Sequence, residues 1–258
     1  MAVNQVAAVA GKSLKEFVRD RMVLFWTYAV PLFFLVVFPL MYSGVTKELI
    51  PSLKGGLTLT MITLLLMTAG QANLPGSIAT DRERGLYLKI ASMPVSHWKE
   101  GMGRILAVWI FSLIGAALML VSGALYGAKY NLGLFDVLAA MGFGFLTALT
   151  SVGVGMIIAS SVKGESAATH TGVAMTLLTY LMGGMALPYS NLPAALKAFA
   201  RLYPISSANA SMVYLLEGEA FVGYNPLNMA QTTLTISSCL LIFFLGMILY
   251  SKFCWRRS

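Results

Sequence analysis

Charge is what this chain has least of. Only 11% of its 258 residues are Asp, Glu, Lys or Arg, where a water-soluble domain carries roughly 25%. So little charge cannot clothe a globule in water, and with 58% hydrophobic residues the solvent of this chain is mostly lipid. Cysteine is nearly missing too. Cys239 and Cys254 stand alone, which removes a disulfide framework and a zinc ligand set. The two histidines, His97 and His170, have no metal-spaced neighbours. A phosphate-binding loop is absent as well: Gly11-Lys12-Ser13 has the tail of the pattern, but the earlier glycine it needs is Val6, and no strand precedes it.

What the chain has instead is long apolar runs. Residues 23–43, 57–79, 105–126, 137–160, 171–188 and 232–251 contain no Asp, Glu, Lys or Arg. At about 1.5 Å rise per residue each reaches across a hydrocarbon core of roughly 30 Å, the fifth only just. The reading is an all-α integral membrane protein with six transmembrane helices, a single transmembrane domain over residues 1–258. No room is left for a soluble catalytic domain. A cleaved signal peptide does not fit, because the first 22 residues carry charge where an apolar segment should be.

Residues 4–22 predict an amphipathic interfacial helix. Val6, Ala10, Leu14, Phe17 and Val18 fall on one side, and Lys12, Lys15, Glu16, Arg19 and Asp20 on the other. It either anchors the first span or also forms part of a docking surface. With the amino terminus inside, thirteen Lys and Arg lie on the inner side and five (Lys47, Lys54, Lys129, Lys197, Arg201) outside. That bias places both termini in the cytoplasm. It also accounts for the net charge of +8 without a nucleic-acid partner.

The one sizeable inner loop is residues 81–100, DRERGLYLKIASMPVSHWKE. Gly85 breaks a first helical segment, Pro94 stops the next, and Ser96 is an N-cap candidate for a further start. Composition alone reads it as a solvated loop. Its Glu83-Arg84-Gly85, then Pro94-Val95-Ser96, then Gly103-Arg104 resemble the signature of ATP-binding-cassette type-two exporter permeases. Leu86, Tyr87 and Leu88 stand where that family usually has Thr, Leu and Glu. FWTYAVPLFF in the first run and the external LPAALKAFARLYPISSANASMVYLLEGE (residues 192–219) are similar to further family features in the same order.

The resemblance implies a permease that pairs with a second copy or a paralogue and binds a separate cytoplasmic ATPase. That partner would carry ATP and Mg, with no cofactor on this chain. The 81–100 loop would be the coupling helix, through Asp81, Arg82, Glu83, Arg84, Gly85 and Pro94. The resemblance also implies a prokaryotic inner membrane, so the glycosylation pattern Asn209-Ala210-Ser211 is set aside. The implied function is export of an amphipathic or hydrophobic small molecule or lipid, with lipid-linked polysaccharide as the alternative cargo.

The spans themselves hold few unusual residues. Pro31 and Pro39 can kink the first. Phe34, Phe38 and Tyr42 form a stripe, Gln71 and Asn73 are amides in the second, and Tyr180 sits in the fifth. These either pack helices, the amides by interhelical hydrogen bonds, or line a substrate pathway at a dimer seam. Gly142, Gly144, Gly153 and Gly155 predict close helix contacts in the fourth. In the external segment, 189–230, two short apolar helices fold back as re-entrant elements, and Leu215 and Leu216 are read as an external gate. Two other classes compete. A lipid-acting enzyme would need clustered acids or histidines, and Asp81, Glu83 and Glu100 lack metal spacing; a non-transporting scaffold is the third reading.

Overall fold

In lipid each backbone N–H and C=O must find its partner within its own segment, so apolar runs become helices. The computed structural model describes residues 2–41, 49–92, 96–187 and 189–254, and no strand occurs among them. In chain order the helices are α1 (Ala2–Arg19), α2 (Arg21–Leu40), α3 (Ile50–Glu83), α4 (Leu86–Ala91), α5 (His97–Leu125), α6 (Leu134–Ser161), α7 (Glu165–Met182), α8 (Ala194–Leu202), α9 (Pro204–Glu217), α10 (Glu219–Val222) and α11 (Met229–Cys254).

Five of these, α2, α3, α5, α6 and α11, are long and apolar enough to cross a membrane. They correspond to five of the six expected runs, and most overrun them at both ends. The remaining run, 171–188, falls on α7, whose 18 residues are not apolar enough to join the five. Its helix starts earlier than the run, at Glu165, and stops at Met182. There Gly183 and Gly184 turn the chain, Gly184 with φ of 74°, a region glycine enters without steric cost.

Helix α3 is the most deeply buried of the five, with α6 beside it, while α2 and α11 lie at the periphery. Its threonines return their hydroxyls to their own helix, as Thr58 does to Lys54 O at 2.7 Å and Thr60 to Gly56 O at 3.1 Å. Small residues set the contacts around α6. A Cβ on Gly153 would lie 2.7 Å from Ile242 O in α11, and Gly155 sits against the Gly70 carbonyl of α3. Gly142 has nothing near it and Gly144 meets only Met212 Sδ at 3.7 Å, so two of the four expected glycines make close contacts.

A π segment ends α11 at Tyr250–Cys254, and two π turns lie within spans, Phe25–Ala29 in α2 and Thr68–Asn73 in α3. Each is followed two residues later by a proline, Pro31 or Pro75. A helical proline lacks the N–H for the carbonyl four residues back and its ring crowds that carbonyl. A wider turn relieves the clash. Pro39 lies inside helix near the described end of α2.

Helix α1 is amphipathic as expected, and it packs on protein. Gly103 of α5 leaves room for Val9, whose Cβ would be 2.6 Å from an added methyl, and Phe17 meets Phe111 at 5.5 Å between ring centroids. Ala10 and Phe17 are buried, whereas Val18, expected on the same face, is 53% exposed. Asp20 then caps α2, accepting from Met22 N at 2.9 Å and Val23 N at 3.2 Å.

Candidate functional site

The charged stretch that closes α3 is wired into the protein from several sides. Asp81 is buried. Lys12 of α1 donates to its two carboxylate oxygens at 2.7 and 2.6 Å, and Arg104 of α5 donates to Oδ2. Arg104 is 1% exposed. Its Nε donates to Glu100 Oε1 at 2.5 Å and Nη1 to Ser77 Oγ at 3.1 Å. The other Glu100 oxygen accepts from the Tyr250 hydroxyl of α11, which is 3.0 Å from the Tyr87 hydroxyl of α4. Two cations and two carboxylates are thus buried or half-buried together, the condition under which such charges are tolerated away from water. Burial pushes the Tyr87 phenol far above its ordinary range, against the opposing pull of Arg104, so it stays a proton donor.

The next two residues hold helix ends. Arg82 donates to Ala159 O at 3.0 Å and Val162 O at 2.6 Å, the unsatisfied carbonyls at the end of α6, where positive charge is favoured. Glu83 Oε1 accepts from Glu165 N at 3.0 Å, an orphan donor at the start of α7, where negative charge is favoured. Gly85 is left-handed, φ 68° and ψ 19°, and turns the chain into α4. Arg84 and Lys89 are exposed, as are Leu88 at 61% and Trp98.

The expected coupling residues therefore divide. Asp81, Arg82 and Glu83 bond inward, Arg84 and Gly85 remain at the turn, and Pro94 lies outside the described residues. Ser96 occupies the N-cap of α5 without a side-chain cap bond, and the further start expected there is the first turn of α5. Sequence reasoning left Lys12, Ser77, Tyr87 and Tyr250 out of any site. The Glu100/Arg104 spacing of four residues was the signal for one pair; nothing local marks Tyr250.

The expected pathway residues also separate. Phe34 stacks on Phe38 at 5.1 Å and on Tyr180 at 6.3 Å, so these three meet. Asn73 donates to Thr27 Oγ1 at 2.7 Å, and Gln71, fully buried, accepts from Thr176 at 3.3 Å. Both amides make interhelical bonds. Tyr42 lies outside the described residues. Leu215 and Leu216, in α9, are half-buried against the core.

At the opposite end is a chamber of about 200 Å³ between α3, the turn after α7, and α8 to α10. Leu57, Met185, Tyr189, Phe221 and Tyr224 wall it, and Ser206 and Asn209 lie inside. Burial pushes the Tyr224 phenol up to about 12, with Arg201 opposing. Asn209 is 6% exposed, so its acceptor pattern is not presented to a modifying enzyme.

The sequence model of one family, described as ABC-2 type transporter, matches residues 4–216. The chain belongs to the ABC-2 type transporter family. No curated protein matches it. As an ABC-2 protein it is a multi-pass membrane permease, a transport subunit from a family that normally pairs with an ABC ATPase. The matched segment takes in α1, the charged turn and the spans up to α7, and ends at Leu216 within α9. Within it, Gly103-Arg104 gains a physical reading: the glycine admits α1 against α5, and the arginine ties that contact to Asp81 and Glu100.

Proposed function

We propose that this chain is the membrane subunit of an ATP-driven exporter that receives its power stroke through the turn from Asp81 to Ala91. Six spans cross the membrane, with α7 as the fifth, and both termini face the cytoplasm of a prokaryotic cell. ATP and Mg stay on a separate cassette ATPase. The permease works as a pair, with a second copy or a paralogue, and moves an amphipathic or hydrophobic small molecule or lipid outward. Leu215 and Leu216 belong to the outer closure, and Phe34, Phe38 and Tyr180 to the cargo side of α2 and α7.

One observation carries this reading. Each of Asp81, Arg82 and Glu83 bonds to a different part of the bundle, namely α1 with α5, the end of α6, and the start of α7. A displacement of α4 is therefore delivered to four helices at once. Arg84, Leu88 and Lys89 are the outward side of the same turn, and Gly85 gives it the sharp reversal that a cleft in a partner can grip.

The test is co-purification with the cassette ATPase together with transport in reconstituted vesicles. Arg84→Glu combined with Leu88→Asp abolishes ATPase capture, because both residues are exposed and neither holds the fold. Glu83→Gln keeps capture but lowers transport per ATP hydrolysed, because the link to α7 is weakened. Undiminished capture by the double variant sinks the docking surface.

A further inference from the structure

The outer chamber buries polar atoms that nothing in the protein answers. Ser206 Oγ and Asn209 Oδ1 have no hydrogen-bond partner among the described residues, although the two residues are only 2% and 6% exposed. An unsatisfied buried polar group costs about 1–3 kcal/mol, and such groups in folded proteins almost always have a partner. Both line the same space of about 200 Å³. Around them the walls are apolar and aromatic, through Leu57, Met185, Tyr189, Phe221 and Tyr224. A mostly apolar cleft with a few convergent polar groups is the make-up of a small-ligand site.

Two cations stand against the tyrosine walls of this chamber. The Arg201 guanidinium lies 4.7 Å from the centroid of Tyr224 and 5.4 Å from that of Tyr189, and Lys197 Nζ is 5.7 Å from Tyr189. Both tyrosines are chamber walls. Neither cation enters an ion pair among the described residues, and no acid lines the chamber. The interior thus offers neutral hydrogen-bonding groups, and positive charge lies beside its tyrosine walls, with the bidentate fork of arginine suited to phosphate. Leu202, at the end of the same helix as the two cations, is 61% exposed, an apolar contact suited to an acyl chain.

We propose that this chamber binds a small hydroxylated phosphate ester, its polyol on Ser206 and Asn209 and its phosphate between Arg201 and Lys197. A phospholipid with a glycerol headgroup and a free polyol phosphate share that chemistry. The site is independent of the export reading, since occupancy is measured whether or not cargo moves.

The experiment uses the purified full-length chain, delipidated in detergent and, separately, in lipid nanodiscs. Glycerol 1-phosphate is titrated in the first by calorimetry; retained phosphatidylglycerol and phosphatidylcholine are compared in the second by native mass spectrometry. The wild type binds a glycerol-bearing phosphate, and Asn209→Ala and Arg201→Gln each weaken it by about tenfold or more. Preference for phosphatidylglycerol with no uptake of glycerol 1-phosphate identifies the lipid as the source; uptake of both identifies the free ester chemistry. Arg201 is exposed, so its variant folds even if Asn209→Ala does not. The proposal fails if neither probe binds, if phosphatidylcholine is held as tightly as phosphatidylglycerol, or if the Arg201→Gln protein binds like the wild type.

Discussion

The two ends of the helical bundle bury polar groups in opposite ways. At the charged end, Arg104 shares its donors among Asp81, Glu100 and Ser77, and Tyr250 and Tyr87 complete the set. At the opposite end, Ser206 and Asn209 face a chamber without partners among the described residues. A cluster in which each member holds another resists deformation, because moving one strands the rest in low dielectric. A chamber with unanswered groups is built to take something in. The first arrangement suits transmission of force, the second suits occupancy, and the contrast can be broken by experiment at either end.

The largest effect belongs to the charged end. Arg104→Ala leaves Asp81 and Glu100 buried with Lys12 as the sole remaining cation in the cluster, and removing one member of a buried pair costs about 3–5 kcal/mol. Thermal unfolding in detergent registers this as a large fall in midpoint or as loss of folded protein. Arg104→Lys recovers part of it, since a lysine supplies the charge but lacks the fork that reaches two carboxylates. A variant as stable as the wild type would show that the cluster is not the strut described above.

An intermediate effect separates the ends by pH. Burial holds the Tyr224 phenol protonated up to about 12, against 10.0 for the unfolded chain. A group whose folded pKa is raised lends stability that is complete below the unfolded value and is lost as pH climbs through the folded one. Stability therefore declines from about pH 10 towards about pH 12, by on the order of 2 kcal/mol from this residue. Tyr224→Phe flattens that decline in an unfolding series across the alkaline range. An identical slope in the variant would place the loss elsewhere, Tyr87 at the charged end being the next group whose burial opposes ionisation.

How much of this contrast the sequence carried differs by scale. Apolar run length located five long helices because the backbone in lipid has no alternative to helix, and the bounds of the helix at the fifth run were not legible because Gly183 and Gly184 are as apolar as their neighbours yet end α7. The turn at Gly85 was legible from glycine itself. The inward use of Asp81, Arg82 and Glu83 was not, because their partners lie 23 to 82 residues away and depend on how α6 and α7 terminate. The chamber was invisible for the same reason. Ser206 and Asn209 look like ordinary small polar residues of an external helix until α3 and α10 close around them.

The smallest effect has the most diagnostic sign. Ser206→Ala at the chamber end deletes one hydroxyl that has no partner among the described residues. Removing an unsatisfied polar atom from a buried place recovers its desolvation penalty and loses no hydrogen bond. In the delipidated, empty protein the expected change is therefore neutral to stabilising, by up to about 1 kcal/mol. Ligand binding to the folded state adds stability in proportion to affinity, so with glycerol 1-phosphate or phosphatidylglycerol present the order reverses and the wild type becomes the more stable of the two. A paired set of unfolding curves, with and without ligand, reads both signs from one variant. Destabilisation of the empty protein by Ser206→Ala would mean that the hydroxyl already has a partner within the chain, and the two ends of the bundle would then be built alike.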